Sequence, residues 1–140
     1  MSFLIVPNDA KTRLVKLTLG VTATYPLHIN LFQNNYIPGP STLQSNMVGA
    51  SFSGYSGIVL SGLSVSATLD GSNRALASWS ACTWTKSGPT GNTIYGYSVT
   101  DSAGNMLWVE RFDSPIPMLS DGAYLVITPQ FTGMSQFTNA

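Results

Sequence analysis

The sequence predicts an all-β protein: an antiparallel β-sandwich or jelly-roll-like domain with an extended N-terminal arm. About eight apolar runs are separated by turn residues every ten or so positions, which is typical of a sandwich or barrel. No run has the period of an amphipathic helix. A clearly marked hairpin occupies the second half of the chain. We expect an arm or edge strand over residues 1–20 and the β-sandwich domain over residues 21–140.

The hairpin spans residues 92–112 and turns at Asp101-Ser102-Ala103-Gly104. Asp suits the first position of a type I turn, and Gly suits the next position, which needs a positive φ. Pairing Asp101 with Asn105 fixes the register of both strands. The expected facing pairs are Val99 with Leu107, Tyr97 with Val109, Tyr95 with Arg111, Ser98 with Trp108, Gly96 with Glu110 and Ile94 with Phe112. In this register Trp108 would lie diagonally across the bare backbone of Gly96.

The other strands are predicted from alternation and from turn residues. Residues 27–33 alternate, with the odd-numbered apolar side chains facing inward. Residues 58–69 and 75–86 are β-rich runs separated by Asp-Gly-Ser-Asn, so we expect a second hairpin. Residues 113–118 are predicted to be a Pro-rich connection, and residues 124–128 a final buried strand.

The N-terminal segment differs from the rest of the chain in its charge. Lys11, Arg13 and Lys16 are three of the six positively charged residues. Residues 14–19 alternate as a strand does. Two interpretations stay open: an edge strand with solvated lysines, and an arm that docks on a neighbouring subunit. An extended arm of this length would reach on the order of 65 Å and would favour an acidic partner.

The composition excludes several classes of function. Charged residues make up 9% of the chain and the formal net charge is zero, so no basic face exists for direct nucleic-acid binding. Weak electrostatic self-repulsion suits a protein that works in an assembly. Cys82 is the only cysteine, which rules out an internal disulfide and fits synthesis in the cytoplasm. The apolar run at residues 3–6 is too short for a membrane span.

No constellation for catalysis or for a cofactor is visible. His28 is the only histidine and lies on the polar side of its strand, without a recognised nucleophile motif nearby. Cys82 between two tryptophans is typical of a small core residue. Glu110 and Asp113 are interpreted as solvent-facing carboxylates. One His, one Cys and scattered acids give no metal-ligand spacing. We expect a protein that is not an enzyme and has no cofactor.

Five short motifs are similar to those of a known group of proteins. They are Leu31-Phe-Gln-Asn-Asn-Tyr-Ile-Pro38, Phe52-Ser-Gly-Tyr55, Thr93-Ile-Tyr-Gly-Tyr97, Leu107-Trp-Val-Glu-Arg-Phe112 and Ile127-Thr-Pro-Gln-Phe-Thr132. With these motifs the chain resembles small virion proteins of tailed bacteriophages over roughly residues 27–132. In particular it resembles the capsid cement, or decoration, proteins of cyanophage-type heads.

The resemblance implies a β-sandwich module that sits as a homotrimer on the outside of the head. Its partners would be the major capsid protein and further copies of itself, with no membrane and no direct nucleic-acid contact. The protein would be synthesised in the host cytoplasm and located at the head surface of the virion. The residues expected at the capsid or subunit interface are Phe3, Leu4, Ile5, Val6, Lys11, Arg13, Lys16, Trp108 and Arg111.

A second interpretation is a tail, baseplate or fibre-associated β-sandwich module that binds host glycans. Its basis is the sugar-stacking platform that aromatic side chains could form. The candidates are Trp79, Trp84, Trp108, Tyr95 and Tyr97. Exposure of these rings distinguishes the two interpretations.

Overall fold

The computed structural model describes residues 4–10, 26–66 and 76–131. In these ranges the protein is mostly β and its sheets are antiparallel, which confirms the all-β prediction. Within the same ranges, no helix is both long and apolar enough to cross a membrane. Most of the predicted arm lies outside the described residues, so the boundary at residue 20 stays a prediction.

Ten strands are present in the described residues. They are β1 (Leu4–Ile5), β2 (His28–Phe32), β3 (Ile58–Val59), β4 (Ser64–Ser66), β5 (Leu76–Ser78), β6 (Cys82–Thr85), β7 (Asn92–Thr100), β8 (Met106–Met118), β9 (Tyr124–Ile127) and β10 (Gln130–Phe131). Residues 8–10 are helical, and Gln44–Asn46 form a 3-10 turn.

The strands form three sheets. A five-stranded sheet has the order β1-β8-β7-β2-β3, a three-stranded sheet the order β10-β5-β4, and β6 pairs with β9. The chain divides into two compact units. The larger unit contains Met1–Val59 and Trp84–Leu125, and therefore the whole five-stranded sheet. The smaller unit contains Leu60–Thr83 and Val126–Ala140, and therefore the three-stranded sheet.

The predicted hairpin forms, and its turn has the predicted chemistry. Gly104 has φ 86°, as the position after a type I turn requires. The Asp101 backbone N–H donates to the Asn105 carbonyl at 2.9 Å. The Asp101 side-chain Oδ1 accepts from the backbone N–H groups of Ala103 at 3.0 Å and Asn105 at 2.9 Å. The Asp carboxylate thus satisfies two donors that the turn would otherwise leave without a partner.

The predicted register is wrong beyond the first pair. Thr100 lies opposite Met106, but Val99 lies opposite Trp108, because Leu107 is an extra residue that forms a β-bulge. The pairs that follow are therefore displaced by one residue from the prediction. They are Ser98 with Val109, Tyr97 with Glu110 and Gly96 with Arg111, and after a second irregularity Ile94 faces Ile116. The turn residues predict where the chain reverses, but they do not predict an extra residue in the strand that follows.

Residues 113–118, predicted as a connection, are part of β8. Asn92 pairs with Met118 and Thr93 with Pro117. The strand accommodates Pro115 and Pro117 because β1 pairs with β8 only at Val109 and Glu110. Among the described residues, no strand covers the far side of β8 at the prolines, so their missing N–H groups leave no ladder partner unsatisfied.

Strand β2 lies between β7 and β3 and alternates as predicted. Ile29 and Leu31 are buried, and His28 is half-buried. Phe32 is buried too, and its ring lies over the backbone of Gly96, which was predicted to be covered by Trp108. A Cβ at Gly96 would come within 2.6 Å of the Phe32 ring and would also clash with the carbonyl oxygen of Glu110. The five-stranded sheet therefore requires glycine at this position.

The structure describes only part of the second predicted hairpin. Strands β4 and β5 pair antiparallel, with Val65 opposite Ala77, while the turn at residues 70–73 lies outside the described residues. Each of the two predicted β-rich runs forms two strands, and only the inner strands, β4 and β5, pair with each other. The outer strands have other partners, since β3 pairs with β2 and β6 pairs with β9. The last predicted strand is not buried on both faces, because Tyr124 and Val126 are exposed and only Leu125 is buried.

A buried lysine that the sequence did not single out stabilises the loops of the larger unit. Lys86 is 2% exposed, and its ammonium group donates to the Gly88 carbonyl and to Asp121 Oδ1, the latter at 2.7 Å. Asp121 is exposed and also accepts from the Gly88 N–H at 3.0 Å. These hydrogen bonds from Lys86 and Gly88, together with the positive charge of Lys86, lower the pKa of the Asp121 carboxyl below 3.8.

The first prediction concerns Gly96. Gly96→Ala is expected to lower the free energy of unfolding by about 1–3 kcal/mol, because the new methyl group overpacks against Phe32 and backbone. Urea denaturation measures this change. Gly39→Ala is the matched control: no atom lies within 4 Å of the point that its new methyl group would occupy, and a change below about 0.5 kcal/mol is expected. Equal stability of the two variants would contradict the packing at Gly96.

The second prediction concerns the Lys86–Asp121 pair. Since the folded pKa of Asp121 is depressed, its contribution to stability is present above the unfolded value of 3.8 and is lost as the pH falls through the folded pKa. Asp121→Asn should therefore destabilise the protein at pH 7 and approach the wild type at acidic pH. Denaturation curves between about pH 7 and pH 2 measure this difference. In a Lys86→Met background the pH dependence of the difference should become smaller, because only the Gly88 N–H then still lowers the pKa of Asp121. An unchanged pH dependence would refute the pairing.

Candidate interface surface

A closed loop joins β2 to the segment that leads to β3. This loop, residues 33–49, is tied at its base by the bridge between Phe32 and Gly49 and by the Gln33 N–H, which donates to the Val48 carbonyl at 2.8 Å. The Gln33 side chain donates to the Gly49 carbonyl at 2.8 Å. The two ends of the 33–49 loop are therefore held together directly after the end of β2.

Asparagine side chains replace missing backbone partners inside the 33–49 loop. Asn34 accepts from the Val48 N–H and donates to the Asn46 carbonyl, both at 2.9 Å. Asn46 accepts from the Leu43 N–H at 2.8 Å and so closes the 3-10 turn. These bonds give the loop a defined backbone although it contains no strand.

Residues from distant parts of the chain hold the outer half of the loop. Arg111 donates to the Tyr36 carbonyl at 3.0 Å, and its guanidinium lies 5.4 Å from the centre of the Tyr95 ring, a cation–π contact. The Asn8 N–H donates to the Pro40 carbonyl at 3.0 Å. Arg111 was predicted as an interface residue, and the structure shows its guanidinium bound within its own chain.

The loop so held presents apolar side chains to solvent. Ile37 is 77% exposed, Val48 is 52% exposed and Leu43 is 48% exposed. Single exposed apolar residues are normal, but three on one hydrogen-bonded loop are a candidate contact surface. Among the residues that the structure describes, the other large exposed apolar ones are Val59, Leu119 and Tyr124 in the larger unit, and Leu63 and Val126 in the smaller unit.

The structure describes five of the nine predicted interface residues, and it does not place these five together on an exposed surface. Leu4 and Ile5 form β1, the edge strand opposite Glu110 and Val109, and they are half-buried, as is Val6. Trp108 is 2% exposed, so its side chain belongs to the core and is not available to a partner. The other four predicted residues, Phe3, Lys11, Arg13 and Lys16, lie outside the described residues.

The aromatic side chains do not form a joint sugar-stacking platform, because three of the five rings are buried. Trp84 is buried and donates to the Ser56 carbonyl at 2.8 Å. Tyr97 is buried and donates to Glu110 Oε1 at 2.8 Å; burial, and next the neighbouring carboxylate, raise its pKa. Trp108 is the third buried ring.

Cys82 and Glu110, which the sequence analysis considered for chemistry, are both engaged inside the protein. Cys82 is buried, as expected of a core residue, and burial raises the pKa of its thiol. No three His, Cys, Asp or Glu side chains of the described ranges lie close enough together to hold a metal ion. Glu110 accepts a hydrogen bond from the Tyr97 hydroxyl, so it is not the purely solvent-facing carboxylate that the sequence predicted.

Only a weak sequence signal marks the 33–49 loop. Its Asn and Pro residues indicate a loop, but they do not indicate that the loop is held in place. The Arg111–Tyr36 contact joins residues 75 positions apart, and no local pattern predicts it.

Comparison of the chain with protein-family models, with curated proteins and with solved structures finds no match. The candidate surface therefore has to be interpreted from its own residues.

Proposed function

We propose that this protein is a non-enzymatic structural protein of a phage particle, a capsid cement protein that binds the outside of the major capsid protein shell. The observation that carries the proposal is the 33–49 loop, which presents Ile37 with 77% of its surface exposed on a backbone fixed by hydrogen bonds. A surface held in one conformation before binding loses little entropy when it docks.

Burial of the exposed apolar side chains of this loop would contribute favourable free energy to binding. Fully burying an Ile or Leu side chain stabilises by about 1.5–3 kcal/mol. The three exposed apolar side chains of one loop could thus contribute several kcal/mol per copy. If several copies are linked in one oligomer, the first contact with the shell makes each later contact intramolecular. The oligomer would then bind tightly although each single contact is weak.

The charge balance supports the same role. With six positive and six negative residues, the protein adds no net charge to the shell on which many copies would sit close together. Lys11, Arg13 and Lys16 concentrate half of the positive charge near the N-terminus. We propose that this segment is the arm that contacts acidic groups of the shell.

The proposal also includes the sandwich architecture and the trimeric state. A sandwich or jelly roll is supported by the antiparallel five-stranded and three-stranded sheets. A homotrimer at the head surface rests on the resemblance to cement proteins and on the general preference for closed symmetry. The alternative, a tail or fibre module that binds glycans, has less support because Trp84, Trp108 and Tyr97 are buried.

The third prediction tests the loop. Ile37→Asp should weaken binding to purified heads that lack this protein at least tenfold, because a charge replaces the apolar side chain that docks. Occupancy is measured by gel densitometry of sedimented heads at increasing protein concentration.

The matched control for this test is Leu63→Asp, which alters a side chain 57% exposed in the smaller unit. It should bind as the wild type does, and both variants should keep the wild-type unfolding midpoint. Unchanged head occupancy with Ile37→Asp would refute the role of the loop.

The fourth prediction tests the arm. Reversing all three charges, with Lys11→Glu, Arg13→Glu and Lys16→Glu, should lower head occupancy and invert the salt dependence of binding, because the new carboxylates repel acidic groups and added salt screens that repulsion. Binding is compared at about 0.05 M and 0.5 M salt. Arg74→Glu, a reversal outside the arm, is the control. An unchanged salt dependence in the triple variant would contradict the arm contact.

A further inference from the structure

A tight turn before β9 contains an exposed Asp-Gly pair. The Ala123 N–H donates to the Ser120 carbonyl at 3.0 Å and closes the turn. Gly122 has φ 88°, a backbone conformation that favours glycine at this position. The Asp121 side chain is 72% exposed, and no atom lies within 4 Å of the point that a methyl group on Gly122 would occupy. Water therefore reaches both residues of the pair.

An Asp-Gly pair carries its own nucleophile and its own electrophile. The glycine nitrogen attacks the Cγ atom of the aspartic acid side chain, so that an N–Cγ bond forms and the carboxyl hydroxyl leaves as water with the amide proton. The product is a five-membered succinimide ring. Water then opens the ring at the side-chain carbonyl, which restores aspartate, or at the backbone carbonyl, which gives isoaspartate. Glycine favours ring closure because no Cβ shields its nitrogen.

One buried residue, Lys86, contacts both reacting groups of this pair. The Gly122 N–H donates to the Lys86 backbone carbonyl at 2.9 Å. The Lys86 ammonium group donates to Asp121 Oδ1 at 2.7 Å, and the Gly88 N–H donates to the same oxygen at 3.0 Å. Ring closure requires the glycine nitrogen to give up its proton and the carboxyl group to be free and protonated. The contacts of Lys86 oppose both requirements.

Lys86 is itself fixed in position. Its side chain is 2% exposed, its backbone N–H donates to the Ala123 carbonyl at 2.8 Å, and its ammonium group also donates to the Gly88 carbonyl. The hydrogen bond from Lys86, followed by that from Gly88, lowers the pKa of the Asp121 carboxyl. The neutral carboxyl group that loses water in ring closure is therefore scarce at neutral pH.

We propose that Asp121–Gly122 is a latent modification site, which forms a succinimide and then isoaspartate when the contacts of Lys86 are lost, and that Lys86 protects it in the folded protein. Isoaspartate adds one methylene group to the path of the backbone through the turn. The modified turn no longer places a carboxylate against Lys86. Modification would thus leave a buried ammonium group without its counter-charge, which destabilises the fold.

Incubation of the wild-type protein at neutral pH, followed by proteolysis and mass spectrometry, measures isoaspartate at residue 121. The folded protein should form it about tenfold more slowly, or slower still, than the same chain unfolded in guanidinium chloride, because unfolding removes the contacts of Lys86. Equal rates in the folded and the unfolded chain would overturn the proposal. The measurement uses isolated protein, so its outcome is independent of the head-binding experiments.

A substitution assigns the protection to Lys86. Lys86→Met keeps a long side chain but removes the donor and the charge, and should accelerate isoaspartate formation at Asp121 about tenfold, the factor that one charge-assisted hydrogen bond is worth. The matched control is Arg111→Met, which removes the donor to the Tyr36 carbonyl in the same unit and should leave the rate at Asp121 unchanged. The second Asp-Gly pair of the chain, Asp70–Gly71, is the internal control, and its rate should not change in either variant.

Circular dichroism first establishes that the Lys86→Met variant is folded. If it is not, Lys86→Gln takes its place, because it keeps a neutral donor, and it should give a smaller acceleration at Asp121. An unchanged or lower rate at Asp121 in the folded variant would overturn the proposal. Equal acceleration at Asp121 and Asp70 would overturn it as well, because it would show that the effect of the substitution is not confined to the turn that Lys86 contacts.

Discussion

The close approach of the Phe32 ring to the bare backbone of Gly96 is the contact on which the five-stranded sheet depends. It lets β2 pair with β7 along its whole length, from His28 opposite Thr100 to Phe32 opposite Gly96. Because β7 also pairs with β8 through this point, a side chain here would disturb both ladders together. The pairing of β7 with both of its neighbours therefore requires a residue without a side chain at this position.

The same contact determines where the 33–49 loop begins. Phe32 ends β2 and forms the bridge to Gly49 that closes the loop. Met47 from the loop packs against the cluster of Phe32, Met106 and Val109, so the loop is attached to the core of the larger unit. Hydrogen bonds within the loop fix its backbone, and the Ile37 side chain stays exposed to solvent. Its exposure is thus a property of a stable structure, which is why we interpret it as a contact surface.

Local features of the fold could be predicted from the sequence, and features that join distant residues could not. The Asp101–Gly104 turn and the alternation of β2 depend on neighbours in the chain, and the structure confirms both. The bulge at Leu107 displaced the predicted register, because nothing in the local sequence marks an extra residue. Two prolines led to the wrong prediction of a connection, since the open side of β8 becomes visible only when β1 is placed. The candidate surface was missed for the same reason: Arg111, 75 positions from Tyr36, helps to hold it.

We propose that the exposed apolar residues of the 33–49 loop contact neighbouring subunits in the shell of a phage head. Electron cryo-microscopy of the purified phage particle tests this most directly. Our account predicts density for this protein on the outer surface of the head, with the 33–49 loop against the major capsid protein. Density at the tail or baseplate, or particles that lack the protein altogether, would contradict it.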